Sequence, residues 1–293
     1  MSGTTGTTDR RAPNRPTPDL IAHRGFAGVC PENTVAAAER AATGLGRGEP
    51  PAMVEIDVMA SADGELVVFH DERLGRVTDA PDRLAGQYVW ETPYETLAEL
   101  EVLGTGEPVP RLDAVLDAIP PEVGVNVEFK NPGTAAIRPR ENLPPGDREA
   151  ETDRWRAFAE RVVSTLDDHD NDALISSFSE GALAATRAAD PSVAIAAVFA
   201  ESVADGMEVA RRYDCEAIHV PWNMVPGTEL FNAEYGSLGP YEPVDLVELA
   251  HEEGRRVNVW TVERWYQATQ LRAAGVDGLI ADYPGVLGFG DGE

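Results

Sequence analysis

In Val54-Glu55-Ile56-Asp57-Val58 two carboxylates stand two positions apart. On a β-strand that spacing turns both to one face and Val54, Ile56 and Val58 to the other. Side by side they repel unless a cation sits between them. Val127-Glu128-Phe129-Lys130 repeats the spacing with Glu128 and Lys130. Three carboxylates facing a common interior suit one hard divalent cation, Mg²⁺ or Ca²⁺, which completes its shell with water or substrate oxygens. His23 and His70 each close an apolar run, Leu20-Ile21-Ala22 and Leu66-Val67-Val68-Phe69, and as neighbours of the carboxylates they supply a general acid and a general base. Arg24 and Lys130 supply cationic donors for an anion such as phosphate. Together these groups describe metal-assisted chemistry at a phosphate ester.

These residues must be brought together by the elements that carry them. From residue 19 onward short β-rich runs alternate with Ala-rich helical stretches, the βαβα rhythm of an α/β fold. Strands that precede helices start near residues 20, 52, 124, 173, 193, 217, 257 and 278, and Leu66–Phe69 is an extra strand. Eight such units over a span close to the roughly 250 residues of that architecture predict a (β/α)8 TIM barrel, in which polar residues at the C-terminal ends of strands converge on one mouth. A doubly wound open sheet is the alternative, but no Gly-rich dinucleotide fingerprint follows the first strand. Helices are expected over 32–45, 112–119, 151–167, 180–189, 204–213, 244–253 and 263–274. Residues 1–18 read as a disordered tail, and 19–293 as one barrel domain. Within it 72–110 form a compact insertion, and 131–148, with Pro132, Pro139, Pro144 and Pro145, an irregular loop at the mouth.

The composition narrows the partners. Acidic residues number 51 against 24 basic, a formal charge of -27, and Lys130 is the sole lysine. An acidic surface of this size repels itself in dilute buffer and is relieved in molar salt, where the Debye length shrinks to about 3 Å. A salt-filled cytoplasm is the natural setting, and the chain reads as halophilic. Nucleic acid and anionic membrane are excluded as partners, because both require basic patches that replace counterions. A small anionic substrate in a locally cationic pocket is compatible. Nothing in the sequence specifies an oligomeric state. Cys30 and Cys215, far apart and without paired spacing, read as plain reduced residues. The first twenty residues lack the apolar stretch expected of a secretory signal, and no apolar run is long enough to span a bilayer.

Several blocks in order extend this. His23-Arg24-Gly25, Pro31-Glu32-Asn33-Thr34, Glu55-Ile56-Asp57, Val68-Phe69-His70-Asp71, Val127-Glu128-Phe129-Lys130, Ser177-Phe178, Trp260-Thr261-Val262 and Asp277 to Pro284 resemble the signature of the glycerophosphodiester phosphodiesterase family, from about residue 19 to 287. The resemblance implies a (β/α)8 barrel that uses a divalent cation to cleave glycerophosphodiesters to glycerol phosphate and an alcohol. It implies His23 and His70 as the acid/base pair, Glu55, Asp57 and Glu128 as metal ligands, Arg24 and Lys130 as phosphate contacts, and Trp260 as an aromatic wall for the glycerol end. One departure is Glu263, where an Asn is usual after Trp260-Thr261-Val262. The remaining polar groups read as structural: Glu32 and Asn33 as a cap or brace, Asp282 as a fixer of the closing turn, His169, His219 and His251 as ordinary core or surface histidines. Arg138 and Arg140 read as part of a solvated loop. Two other functions compete. A barrel of the phospholipase C or sphingomyelinase D type acting on intact lipid would need an exposed apolar mouth, and none is evident in the sequence. A catalytically silent phosphodiester-binding barrel would lack a histidine or a carboxylate, and all five are present.

Overall fold

The structure is a computed structural model that describes residues 16–46 and 49–288. The tail expected over 1–18 lies largely outside these residues. Eight parallel strands close into a barrel: β1 (Asp19–Ala22), β2 (Met53–Ala60), β6 (Gly124–Asn131), β7 (Ala173–Ser177), β8 (Ala194–Val198), β9 (Ala217–Pro221), β10 (Arg256–Val262) and β11 (Gly278–Ala281). Each pairs with its neighbours, and β1 pairs with both β11 and β2, which closes the ring. The eight strand positions are those expected from the sequence. Three further strands are short: β3 (Leu66–Val68), β4 (Glu101–Val102) and β5 (Glu107–Pro108).

Helices α1 (Val35–Ala42), α4 (Leu112–Leu116), α5 (Pro145–Asp167), α6 (Glu180–Ala189), α7 (Val203–Arg212), α8 (Leu246–Glu252) and α9 (Trp265–Ala274) follow barrel strands, while α2 (Asp82–Ala85) and α3 (Tyr94–Leu97) lie in the insertion. Several helix boundaries shift by two or three residues, and two of the differences bear on the site and its loop. The first helix starts three residues later, because Thr34 is its cap and accepts from Ala37 N at 3.1 Å. Helix α5 starts at Pro145, six residues earlier, with Pro144 as its cap. Proline at the first helical position loses no hydrogen bond and has the right φ already, so the irregular loop is 132–144 and ends sooner than the expected 148.

Strand alternation sorts the side chains. On β2, Val54, Ile56 and Val58 join the core under the helices, and Glu55 and Asp57 turn inward and are 2% and 1% exposed. On β6, Val125, Val127 and Phe129 pack outward, which leaves Asn126, Glu128 and Lys130 inside. Phe129 stacks on Trp155 of α5 at 6.2 Å and meets Phe158 edge-on at 5.0 Å. Trp155 is fully buried, and truncating such a side chain costs about 3–5 kcal/mol, so this contact fixes the strand that carries Glu128 and Lys130. Below them the interior is polar, with Asn126, Ser176, His219 and Asn258, then small and apolar at Leu174, Ala196 and Ala217.

The extra strand has a positional role. β1 pairs only with the first residues of β2, Met53 and Val54. Above that level β3 pairs antiparallel with Val58, Met59 and Ala60. Running back toward the barrel, it brings Phe69 N to donate to Asp57 O at 2.9 Å and so sets His70 beside the carboxylates. Residues 72–110 build a small apolar core of their own from Leu74, Val77, Val89, Leu97 and Val102, packed on Met59, Val67 and Phe69. Among the described residues no helix is long and apolar enough to cross a membrane.

Candidate active site

One oxygen each from Glu55, Asp57 and Glu128 lies within 4.8 Å of the others, a span that oxygens sharing one hard cation at ~2.3–2.6 Å can occupy. Two of the carboxylates present buried oxygens without a hydrogen-bond partner, Glu55 Oε1 and Asp57 Oδ1. An orphaned buried carboxylate oxygen is costly, and a divalent ion is the group that fits both. Their other oxygens are held: Arg24 N donates to Glu55 Oε2 at 2.8 Å, and Asn33 Nδ2 donates to Asp57 Oδ2 at 2.8 Å. Asp57 N in turn donates to Asn33 Oδ1 at 3.1 Å. Asn33 is thus a brace, as expected.

The charges divide unequally. Burial, and then the nearby charges of Asp57 and Glu128, push the Glu55 carboxyl well above the usual glutamate range. Burial pushes Asp57 the same way, but Lys130, His70, Arg24 and the Asn33 amide together outweigh it and hold that carboxyl far below. Lys130 Nζ sits 2.7 Å from Glu128 Oε1 and 3.5 Å from Asp57 Oδ1. Burial would lower its ammonium, and these two carboxylates raise it instead.

Both histidines are oriented by a carboxylate. His23 sits in the single turn His23–Gly25 that follows β1, and its Nδ1 is 2.6 Å from Asp282 Oδ1 at the end of β11. His70 Nδ1 is 2.6 Å from Asp71 Oδ1. A carboxylate on Nδ1 keeps a proton there and leaves Nε2 for chemistry. Asp282 therefore does more than fix the closing turn. The only sign in the sequence was its place at the end of the last strand, which closure sets against the first. Arg76, from the insertion, was not singled out at all. It donates to Asp71 and reaches Glu32 with two further bonds of 2.9 and 2.7 Å, while Glu32 Oε1 also accepts from Arg24 at 2.9 Å. Glu32 is thus a brace, and the chain Arg24–Glu32–Arg76–Asp71–His70 connects the two histidine loops.

A cavity of about 230 Å³ is lined by His23, Arg24, Glu55, His70, Glu128, Lys130 and Trp260, with Asn126 and His219 also in its lining. All the residues expected to act are there except Asp57, which lies behind them. Trp260 lines the cavity edge-on to Phe178 at 5.8 Å and 6.2 Å from Tyr235, a residue that the sequence did not reveal. Trp222 packs at a tilt against Tyr235, with ring centroids 4.7 Å apart, and is buried, so it lies behind that ring. Glu263 points to solvent, clear of the cavity. His219 is a core histidine 2% exposed, pushed down to about 3 by burial and so neutral, while His169 and His251 pair with Asp117 and Asp277 away from the cavity. Cys30 and Cys215 are free and buried.

Comparison with known proteins gives the same picture. The sequence pattern of the glycerophosphoryl diester phosphodiesterase family matches residues 23–286. A glycerophosphodiester phosphodiesterase of Caldanaerobacter subterraneus subsp. tengcongensis is 29% identical over 277 residues, covering 92% of this chain and 95% of the relative. One from Bacillus altitudinis is 26% identical, covering 90% and 94%. Among solved structures, an Oleispira antarctica phosphodiesterase in complex with the product sn-glycerol-3-phosphate superposes with a TM-score of 0.66 at 27% identity, covering 92% and 94%. A glycerophosphodiester phosphodiesterase from Parabacteroides distasonis, at 20% identity and a TM-score of 0.68 over 92% and 95%, shares the fold. With the matched span taking in both histidine turns and every carboxylate of the cluster, the chain belongs to the glycerophosphoryl diester phosphodiesterase family.

Proposed function

We propose that this phosphoric diester hydrolase cleaves glycerophosphodiesters to glycerol phosphate and an alcohol, with Glu55, Asp57 and Glu128 as the site of one Mg²⁺ or Ca²⁺ and with His23 and His70 as the acid/base pair. The observation that carries it is the meeting of three carboxylates, two with unpartnered buried oxygens, and two carboxylate-oriented histidines in one cavity. When bound, the cation supplies Lewis-acid polarisation of a phosphoryl oxygen. Arg24 and Lys130 add positive charge near the phosphorus. The aromatic wall of Trp260, Phe178 and Tyr235 encloses the glycerol end.

The two histidines differ in what they border. His23 lines the inner cavity, whereas His70 also lines an outer groove of about 550 Å³ between the insertion and the 132–144 loop. The leaving alcohol, the variable half, occupies the open groove. His23 Nε2 then takes the proton of the attacking oxygen as its bond to phosphorus forms. His70, protonated, gives its Nε2 proton to the alcohol oxygen as that P–O bond breaks.

One feature favours a second reading, action on intact lipid. The sequence shows no apolar mouth, yet Val29 and Tyr283, on the loops after β1 and β11, are 45% and 39% exposed, and Trp265 and Tyr266, which open helix α9 after β10, are 54% and 37% exposed, at the mouth end of the barrel. Exposed aromatic residues of this kind suit a lipid–water boundary. The experiment is phosphorus NMR of a panel of glycerophosphodiesters and intact phospholipids in molar KCl, with Mg²⁺, Ca²⁺ or chelator. Metal-dependent glycerol phosphate release from the water-soluble diesters is expected, with His23→Ala and His70→Ala each slower by at least about a hundredfold. A near-normal rate in either variant refutes the histidine assignment, and turnover of the intact lipids alone favours the second reading.

A further inference from the structure

The loop 132–144 carries Arg138 and Arg140 on either side of Pro139, and the structure sends them in opposite directions. Arg138 turns outward onto Glu141 and Asp147, each at 2.6 Å, and its N–H is fixed by Glu151 at 2.9 Å. Arg140 has a φ of 66°, the left-handed region in which a non-glycine residue stays only where its surroundings hold it. Its N–H donates to Phe178 O at 2.8 Å, and its guanidinium stacks over the Phe178 ring at 4.8 Å. The loop beyond is pinned as well, with Leu143 N donating to Glu180 at 2.7 Å. Arg140 therefore has a set position above the mouth.

That position is the junction between the inner cavity and the outer groove, both of which Arg140 lines together with His70, Glu128 and Lys130. A diester with one arm in each space has its phosphorus there. The carboxylate cluster puts negative charge where an anion must bind. Of the cations lining the cavity, Arg24 is committed to Glu32 and Asp57, and Lys130 to Glu128 and Asp57. Among the described residues the one ion pair of Arg140 is with Glu201, at 3.2 Å, with both side chains about half exposed, a pairing that holds weakly in water.

We propose that Arg140 is a phosphate-binding residue that exchanges Glu201 for a non-bridging oxygen of the diester and holds the phosphorus at the junction. This rests on the hydrolase function above. The test compares Arg140→Gln, Arg140→Lys and Glu201→Gln with the parent chain, reading KM for diesters of several leaving alcohols and the binding of glycerol phosphate by calorimetry. Loss of one charge-assisted hydrogen bond raises KM and weakens glycerol phosphate binding together by about ten- to a hundredfold in Arg140→Gln, to a similar degree for every leaving alcohol. Arg140→Lys recovers part of the loss. Glu201→Gln moves both quantities the other way, toward tighter binding by a few-fold, because Arg140 then has no partner to leave. A merely structural role for Arg140 does not produce that opposite sign. Values for Arg140→Gln within twofold of the parent, an effect confined to one leaving alcohol, or a Glu201→Gln shift in the same direction as Arg140→Gln each overturn the proposal. A parent chain that turns over no diester removes the hydrolase function itself, while the calorimetric comparison still reads Arg140 directly.

Discussion

Asp282→Asn isolates the orientation of His23 with almost no change of shape. The backbone at Asp282 is fixed on both sides, its N–H donating to Val262 O at 3.1 Å and its carbonyl accepting from Gly28 N at 3.1 Å. The side chain has His23 Nδ1 as its hydrogen-bond partner at 2.6 Å, and the two are only 15% and 18% exposed on the side chain, so solvent screens the pair little. Asparagine removes the charge and offers an amide that can hydrogen-bond either tautomer of the imidazole, so Nε2 is no longer reliably free to take a proton. A hydrogen bond to a charged group is worth about 1.5–3 kcal/mol. At about 1.4 kcal/mol per decade that is a ten- to hundredfold fall in kcat, with KM little changed because Asp282 does not line the cavity. Initial rates of glycerol phosphate release give both constants. The decisive measurement is the double variant: in a His23→Ala background, Asp282→Asn should cost less than about twofold, since the two act as one unit. Equal losses in both backgrounds would show that Asp282 acts through the barrel closure and not through His23.

Two further outcomes follow from the site and its support. Because the Glu55 carboxyl lies well above its usual range in the folded chain, by burial and by Asp57 and Glu128, it keeps a proton that the unfolded chain gives up. That share of stability is complete below the ordinary glutamate range and is lost as pH rises through the raised value. A divalent ion held by the cluster would replace the proton, so the gain in Tm on adding Mg²⁺ or Ca²⁺ should grow with pH, and calorimetry in two buffers should show proton release on binding; a pH-independent gain, or one retained in Glu55→Gln, counts against the proposed metal site. Gly25→Ala should lower Tm and cut activity together, because φ is +75° there and the added Cβ would come within 2.8 Å of Ala37 Cβ; full activity at an unchanged Tm would mean that the His23 turn tolerates displacement.

What the sequence disclosed is what depends on short spacing. Glu55 and Asp57, or Glu128 and Lys130, share a face through the two-residue period alone, and strand ends put His23 and His70 near them. The barrel followed from eight strand starts at regular intervals. The partners across the ring did not follow: Asp282 meets His23 across 259 positions of sequence, Arg76 reaches Glu32 across 44, and neither separation carries a local pattern. Tyr235 belongs to an irregular stretch with no period to read. Prolines 144 and 145 were ambiguous because the same residue ends regular structure in the interior of a helix and begins it at the first position. Arg140 and Arg138 were indistinguishable until backbone dihedrals separated them. The exposed aromatic residues at the rim are split between the first turn of α9 and the loop after β11, so no single stretch looked apolar.

The insertion's separate apolar core has a consequence for how the molecule fails. Phe69 belongs to that core and not to the barrel's, and the next residue is His70. Small cooperative units open at a lower free energy than the whole. Mild denaturant should therefore detach one histidine from the other while the eight-stranded ring, its helices and its far-ultraviolet signal persist, so that activity is lost before the ellipticity. The lifetime of the activity would then be set by a hairpin and the few dozen residues folded on it.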